Sequence, residues 1–360
     1  MTYRLYSSIP ALLRERAGRA RDFKAAAIGR DVVHAAEDTY SPAALHLDDE
    51  DLARIRSAAE FFPLEIEMQR MRGGRVEGRP VTLLHLRDVL LLDGDLFHAG
   101  ARLRVRGGKR HRLYAGALAE VERGSLASSQ LGCTFFGHWL LDDLPRHNAL
   151  RAMAADPFVV APAASTHQQQ YLQTFGLAPR LLGDSLVRRL SVLEEGSMQT
   201  FKARELAALS TALRASAAPL PAPAGVMLLR GGSGRKRLLV NEPALADMLA
   251  ARGFRIVDPM TSSVAEMAAS CANAPVVVGI EGSHMTHAVL ALGTGAAFIT
   301  IQPPFKFDNT CKPYCDALAI KYGFTVGTAA EGGFQIEADR LLRMIDKIVA
   351  APLDRASYAR

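Results

Sequence analysis

The run Gly137-His138-Trp139-Leu140-Leu141-Asp142-Asp143-Leu144-Pro145-Arg146 places an imidazole, two carboxylates and a guanidinium around a short apolar stripe. Read as a helix, it stacks His138 over Asp142 on one face. Asp142 and Arg146 repeat that spacing, and Trp139, Leu140 and Leu144 can anchor the other side. A carboxylate one turn from an imidazole fixes the ring's tautomer and prepares it to accept a proton, which is how a general base is built. Asp143, next to the pair, is the alternative base. The same spacing also suits a capped core helix in which His138 and Asp142 share a structural hydrogen bond.

A second group of chemistry-bearing residues follows about a hundred positions later. Leu228-Leu229-Arg230 leads into Gly231-Gly232-Ser233-Gly234-Arg235-Lys236-Arg237, and Asn241-Glu242 comes next. Four cations among three glycines form a loop that can fold over an anion. Further on, Val276-Val277-Val278-Gly279-Ile280 runs into Glu281-Gly282-Ser283-His284. This second loop opens a helix, so free backbone N–H groups and the positive helix end suit a diphosphate, with Gly282 allowing close approach. A plain strand-to-helix turn gives the same short pattern. Glu281 can accept hydrogen bonds from sugar or ribose hydroxyls, or pair with a loop arginine.

In their order and separation, these motifs resemble glycosyltransferase family 61, over roughly residues 130 to 325. The family includes bacterial capsular polysaccharide enzymes and protein O-linked N-acetylglucosaminyltransferases. The resemblance implies an α/β chain of the GT-B type, with two Rossmann-like domains facing a cleft. It implies an inverting transferase of cell-surface polysaccharide biosynthesis that needs neither metal nor other cofactor. Its partners are a nucleotide-sugar donor and a glycan or lipid-linked glycan acceptor. In that scheme His138 is the base, Asp142 orients it, and Asp143 is the runner-up. Arg230, Arg235, Arg237, Asn241, Glu281, Gly282, Ser283 and His284 form the donor side, where side chains and helix ends neutralise the leaving diphosphate. The chain departs from the family at Glu281-Gly282-Ser283, where His-Gly-Ala is expected, so no role of that histidine carries over. Two other readings stay open: a catalytically silent sugar- or nucleotide-binding protein on the same scaffold, and a polysaccharide pyruvyl- or phosphosugar transferase.

The elements that must position these residues are clearest in the second half. Apolar runs at 226–229, 254–258, 275–279 and 296–301 alternate with helical patterns at about 242–252, 263–273 and 285–292, as in a parallel, doubly wound sheet. Asn241 is placed to cap the first helix, Gly253 ends it, and Ser263 with Glu266 forms a capping box for the second. The segment 215–225 has three prolines and no apolar periodicity and reads as a linker. The expected domains are an acceptor-side domain at 1–218, a nucleotide-sugar-binding domain at 219–336, and a last helix at 337–360 packing back across the junction.

At 360 residues and 49% hydrophobic content, the chain has the core for about two domains. The net charge of +6 fits anionic partners. A basic, weakly amphipathic helix over 9–30 could touch an anionic membrane surface, and 102–112 reads as a hairpin with one basic face. Without aromatic interleaving, nucleic acid is not expected as a partner. Asp93-Gly94-Asp95 imitates an Asp-x-Asp metal motif, yet between apolar strands it reads as a type I′ turn. Cys133, Cys271, Cys311 and Cys315 give neither a disulfide framework nor a zinc pattern. With no apolar run of membrane-spanning length and no signal-peptide layout, a cytoplasmic protein is expected.

Overall fold

The computed structural model describes residues 8–59, 62–108, 118–195, 200–231 and 237–353. The chain divides into two compact units. The first comprises 1–37 and 78–197, and the second comprises 38–77 and 198–360. Both mix helix and strand, so the α/β class holds.

The first unit is built on one mixed sheet. Its strands are β1 (Gly29–His34), β2 (Val81–Leu92), β3 (Asp95–His98), β4 (Ala101–Leu103), β5 (Ala119–Leu126), β6 (Pro157–Val159), β7 (Arg180–Leu181) and β8 (Ser185–Glu194). Their order is β4-β3-β2-β8-β5-β6-β7, with β1 also paired to β2. From β8 to β7 all neighbours are parallel. Long apolar runs in β2 and β8 bury Leu84, Leu86, Val89, Leu91, Val187 and Leu190 in one core, where Phe158 of β6 joins them.

At Asp93-Gly94 both residues have positive φ, as the type I′ reading requires. Asp95 accepts the backbone N–H groups of Val105, Arg106, Gly107 and Gly108 at 2.8–3.1 Å and pairs with Arg102, so its carboxylate organises the following loop.

The second unit carries a fully parallel sheet of β9 (Gly225–Leu228), β10 (Phe254–Val257), β11 (Val276–Ile280), β12 (Ala297–Gln302) and β13 (Lys321–Val326), in the order β10-β9-β11-β12-β13. Strands covered on both faces read as continuous apolar runs, and Val276–Ile280 and Ala297–Gln302 are buried at every position. The order reverses between β9 and β11, which makes the carboxyl ends of those two strands the natural ligand crevice. Ser263 and Glu266 form the expected capping box.

Several expectations are corrected. The basic helix over 9–30 ends at Arg16, because Gly18 takes φ +67°, and the chain then enters β1. Among its cations, Lys24 pairs with Glu194, while Arg14 and Arg21 bond the carbonyls of Gly100 and Ala99. In the described part of 102–112, Arg102 is buried between Asp95 and Glu15, while Arg104 and Arg106 of the same alternating face are exposed. The remainder of that hairpin lies outside the described residues.

The 215–225 segment connects the helix Thr200–Ser216 to β9 inside the second unit, so the observed units do not part at 218/219. The helix Ala338–Ala350 packs Leu341, Met344, Ile345 and Ile348 into its own unit's core beside Ile299 and Ile301, rather than standing apart as a bridging element. Sequence reading also missed β13 and the segment 38–77, which bonds it through Leu45. Among the described residues, no helix is long and apolar enough to cross a membrane.

Candidate functional site

In the first unit the chemistry sits on the helical stretch after β5. Ser129 caps the short helix Gln130–Thr134, accepting the Gly132 N–H at 3.0 Å. Phe135 is extended, and the helix resumes at Phe136. From Trp139 to Asp143 it widens into a π turn, with the Leu144 N–H reaching back five residues to Trp139 O, before the α-helix Leu144–Ala152. Pro145 has no N–H to give Leu141 O, and its ring crowds that carbonyl, so a wider turn relieves the conflict.

His138 Nδ1 lies 2.6 Å from Asp142 Oδ2, with the two side chains only 19% and 14% exposed. Phe135 meets the imidazole edge-on. This is the expected pair: the carboxylate fixes the ring, and Nε2 is the nitrogen left for a substrate proton. Arg146 does not pair with Asp142 as the spacing suggested. The π turn changes the phase of the helix, and Arg146 bonds Asp143 at 3.1 Å and Glu195 at 2.7 Å. Although burial opposes its charge, Glu195 and Asp143 hold Arg146 protonated.

Asp143 is buried, and its Oδ2 accepts the Ser129 N–H at 3.0 Å. Burial pushes its pKa up to about 6 against the opposing pull of Arg146. Gly132 is required beside it, because a Cβ there would lie 2.0 Å from Asp143 Oδ2.

Trp139, Asp143 and His147 follow one another at four-residue steps and line a cavity of about 650 Å³. Its other walls come from residues at the carboxyl ends of β5, β6 and β7, including Ser128, Val159, Ala163 and Leu181. Ligands of open α/β sheets bind at that edge.

In the second unit the loops after β9 and β11 meet at the topological switch. Arg230 stands two residues beyond the end of β9, is 5% exposed, and donates to Glu281 O at 2.8 Å. Glu242, buried at the start of the helix Glu242–Ala250, accepts the N–H groups of Arg230 and Gly231 at 2.8 and 2.9 Å and so fixes the loop's departure. Burial lowers the Arg230 pKa, with Glu242 opposing. Arg237 donates to Glu281 O at 3.2 Å and forms an ion pair with the Glu281 carboxylate. Of the two roles read for Glu281, pairing with a loop arginine is the one present.

Gly282 has φ +154°, and a Cβ there would strike the Arg230 guanidinium, so this glycine makes room for an arginine rather than leaving an open backbone. His284 Nε2 is buried with no hydrogen-bond partner among the described residues. Burial, then Arg230 and Arg237, push the His284 pKa down to about 3, keeping the ring neutral between two cations.

The structure therefore brings Arg230, Arg237, Glu281, Gly282 and His284 together, with Ser283 exposed at the same turn. Arg235 lies outside the described residues. Asn241 does not cap its helix. Its amide exchanges hydrogen bonds with the Ile336 backbone, at 2.7 and 3.4 Å, and ties two segments of the unit together. Sequence reasoning missed Glu242 and His147. The first was legible as an acid following the cationic loop. The second was legible only from its four-residue spacing to Asp143.

Residues 136–297 match the family model described as Glycosyltransferase 61. This is the family the motifs resemble, and the match takes in both His138–Asp143 and Arg230–His284. No curated protein matches the chain. A solved structure, the flavodiiron protein from Giardia intestinalis, aligns at 11% identity over 79% of this chain and 66% of that one, with a TM-score of 0.25. That score is too low to indicate a common fold.

Proposed function

We propose, from the glycosyltransferase 61 match, that the protein transfers a sugar from a nucleotide-sugar donor to a hydroxyl of a glycan acceptor, with inversion and without a metal ion. The single observation that carries this reading is that the matched residues contain both the His138–Asp142 pair and the arginine cluster at the β9/β11 switch. With the reading come the GT-B arrangement, a glycan or lipid-linked glycan as partner, and a role in cell-surface polysaccharide synthesis. Peripheral contact with an anionic membrane through the cations near the N-terminus belongs to the same reading.

In this mechanism the acceptor hydroxyl attacks the anomeric carbon and its proton passes to His138 Nε2, with Asp142 stabilising the imidazolium that forms. The bond from the anomeric carbon to the diphosphate breaks, and the electron pair leaves on the diphosphate. Arg230 and Arg237 face that charge, with the Glu281 carboxylate giving up Arg237 as the diphosphate enters. A single displacement of this kind inverts the anomeric centre.

A panel of nucleoside diphosphates and their sugars tests the proposal. One nucleotide sugar should raise the melting temperature and be hydrolysed slowly without acceptor, in excess chelator as well as without it. His138→Ala should keep that donor's affinity while lowering turnover by roughly a hundred-fold or more. Stabilisation without any turnover would instead support the silent binding protein, to which the Arg237–Glu281 pair also lends itself. Loss of activity in chelator, reversed by metal, would remove the metal-free mechanism.

A further inference from the structure

The cavity in the first unit is not used by the chemistry just proposed, which needs only the His138–Asp142 face of the same helix. Its volume of about 650 Å³ falls in the usual range for small-molecule sites, roughly 300–1,000 Å³. Its wall combines two kinds of surface. Trp139, Phe135 and Phe136 supply aromatic faces, with Phe136 stacked on Trp139 at a centroid separation of 5.9 Å. Asp143 and His147 supply polar groups that are both about 95% buried. His147 Nδ1 has no hydrogen-bond partner among the described residues. A ligand hydroxyl that reaches this nitrogen as the ring turns would supply the hydrogen bond it lacks. Asp143, already holding Ser129 N–H and Arg146, has lone pairs left for a second hydroxyl.

We infer that this cavity binds a neutral saccharide ring, with the apolar face of the ring against Trp139 and Phe136 and its hydroxyls on His147 and Asp143. The inference rests on the glycosyltransferase reading and deepens it by giving the acceptor glycan a subsite in the first unit. The chemistry favours a sugar over other ligands of that size. A pyranose presents C–H groups on one face and hydroxyls around its rim, which is the combination that one aromatic wall and two buried polar side chains can serve. A diphosphate would meet the buried carboxylate of Asp143 as well as the exposed Arg106 of the same lining, so titration with nucleotides separates the two ligand classes. The cavity also opens at the carboxyl ends of parallel strands, where this class of sheet presents its ligands.

Trp139 is the only tryptophan in the chain, so its emission reports on this cavity directly. The full-length protein is titrated with methyl β-glucoside, methyl β-galactoside and N-acetylglucosamine, and separately with UDP and GDP. At least one saccharide should change the tryptophan emission saturably, and neither nucleotide should do so.

Ala163→Phe, at the cavity rim, should abolish the saccharide response while leaving nucleoside diphosphate stabilisation unchanged. His147→Phe, which keeps an aromatic ring and removes both nitrogens, should weaken saccharide binding roughly tenfold. A saccharide response that survives Ala163→Phe in a folded protein, no response to any of the three sugars, or an equal response to UDP would each overturn the inference. Failure of every nucleotide sugar to bind would instead remove the donor reading. The saccharide titration stays interpretable in that case, because it does not use the donor.

Discussion

At the scale of single residues, the candidate sites depend on how burial and neighbours divide charge among adjacent groups. Asp142 and Asp143 are consecutive carboxylates with different environments. Asp142 is partly exposed and bonded to His138, whereas Asp143 is buried, and burial pushes its pKa up to about 6. The π turn separates them, sending one to the imidazole and the other to the cavity and Arg146. A raised carboxyl pKa means that the folded protein binds the proton more tightly than the unfolded chain does. Asp143 therefore stabilises the fold fully below its ordinary value near 4, and this contribution is lost as pH rises to about 6. At about 1.4 kcal/mol per unit, the loss is on the order of 2–3 kcal/mol. Comparing the unfolding free energy of the protein with that of Asp143→Asn across pH 3.5 to 7.5 isolates the contribution of this carboxyl. The advantage of the acid over the amide should shrink between pH 4 and 6 and then stay level. An advantage that grows over that interval would mean that Arg146, not burial, governs the group. Glu281 and His284 show the same logic in the second unit, where two arginines face one carboxylate and one neutral ring.

At the scale of elements, what mattered was whether a contact is local or formed across the chain. The short helix Gln130–Thr134 meets the π turn so closely that Gly132 has no space for a side chain. Gly132→Ala should therefore lower stability by about 1–3 kcal/mol, as overpacking a close contact does, even though alanine is the better helix former. Thermal unfolding of that variant checks it, and an unchanged or raised melting temperature would show that the helix can shift away. Local features could be read from the sequence: the capping box at Ser263, the type I′ turn at Asp93-Gly94, the four parallel strands, and the His138–Asp142 pair one helical turn apart. Features decided by distant partners could not. Arg146 turns to Glu195, Asn241 bonds Ile336 instead of capping, and Gly282 accommodates Arg230 from the loop after another strand. β13 escaped because Gly323 breaks its apolar run, although Leu45, 278 positions earlier, completes its ladder.

At the scale of the whole chain, the path is discontinuous, since residues 38–77 belong with 198–360. That segment completes the second unit's buried polar groups. Asp51 accepts Thr325 Oγ1 at 3.0 Å and Val326 N–H at 2.8 Å. Glu67 accepts Asn309 N–H at 2.6 Å, and Asp48 and Glu50 hold the buried Arg340. Leu45 exchanges backbone hydrogen bonds with Tyr322 and Phe324 along β13, the edge of the sheet. Without the segment, Thr325, Val326, Asn309 and Arg340 would exchange these partners for water, at a net cost of roughly 0.5–1.5 kcal/mol each and more for the charged pairs, and the core surface under Leu45 and Leu47 would be exposed. Against a domain stability of about 5–15 kcal/mol, that loss is enough to prevent folding. A fragment of residues 198–360 should therefore show no cooperative thermal transition. Joining 38–77 to 198–360 through a short Gly/Ser linker should restore one. A short linker can suffice because Thr82, near the start of the excised stretch, is paired with Glu194, near its end. Differential scanning calorimetry of the two fragments decides the matter: a sharp transition in 198–360 alone would show that the insertion decorates the second unit rather than completing it.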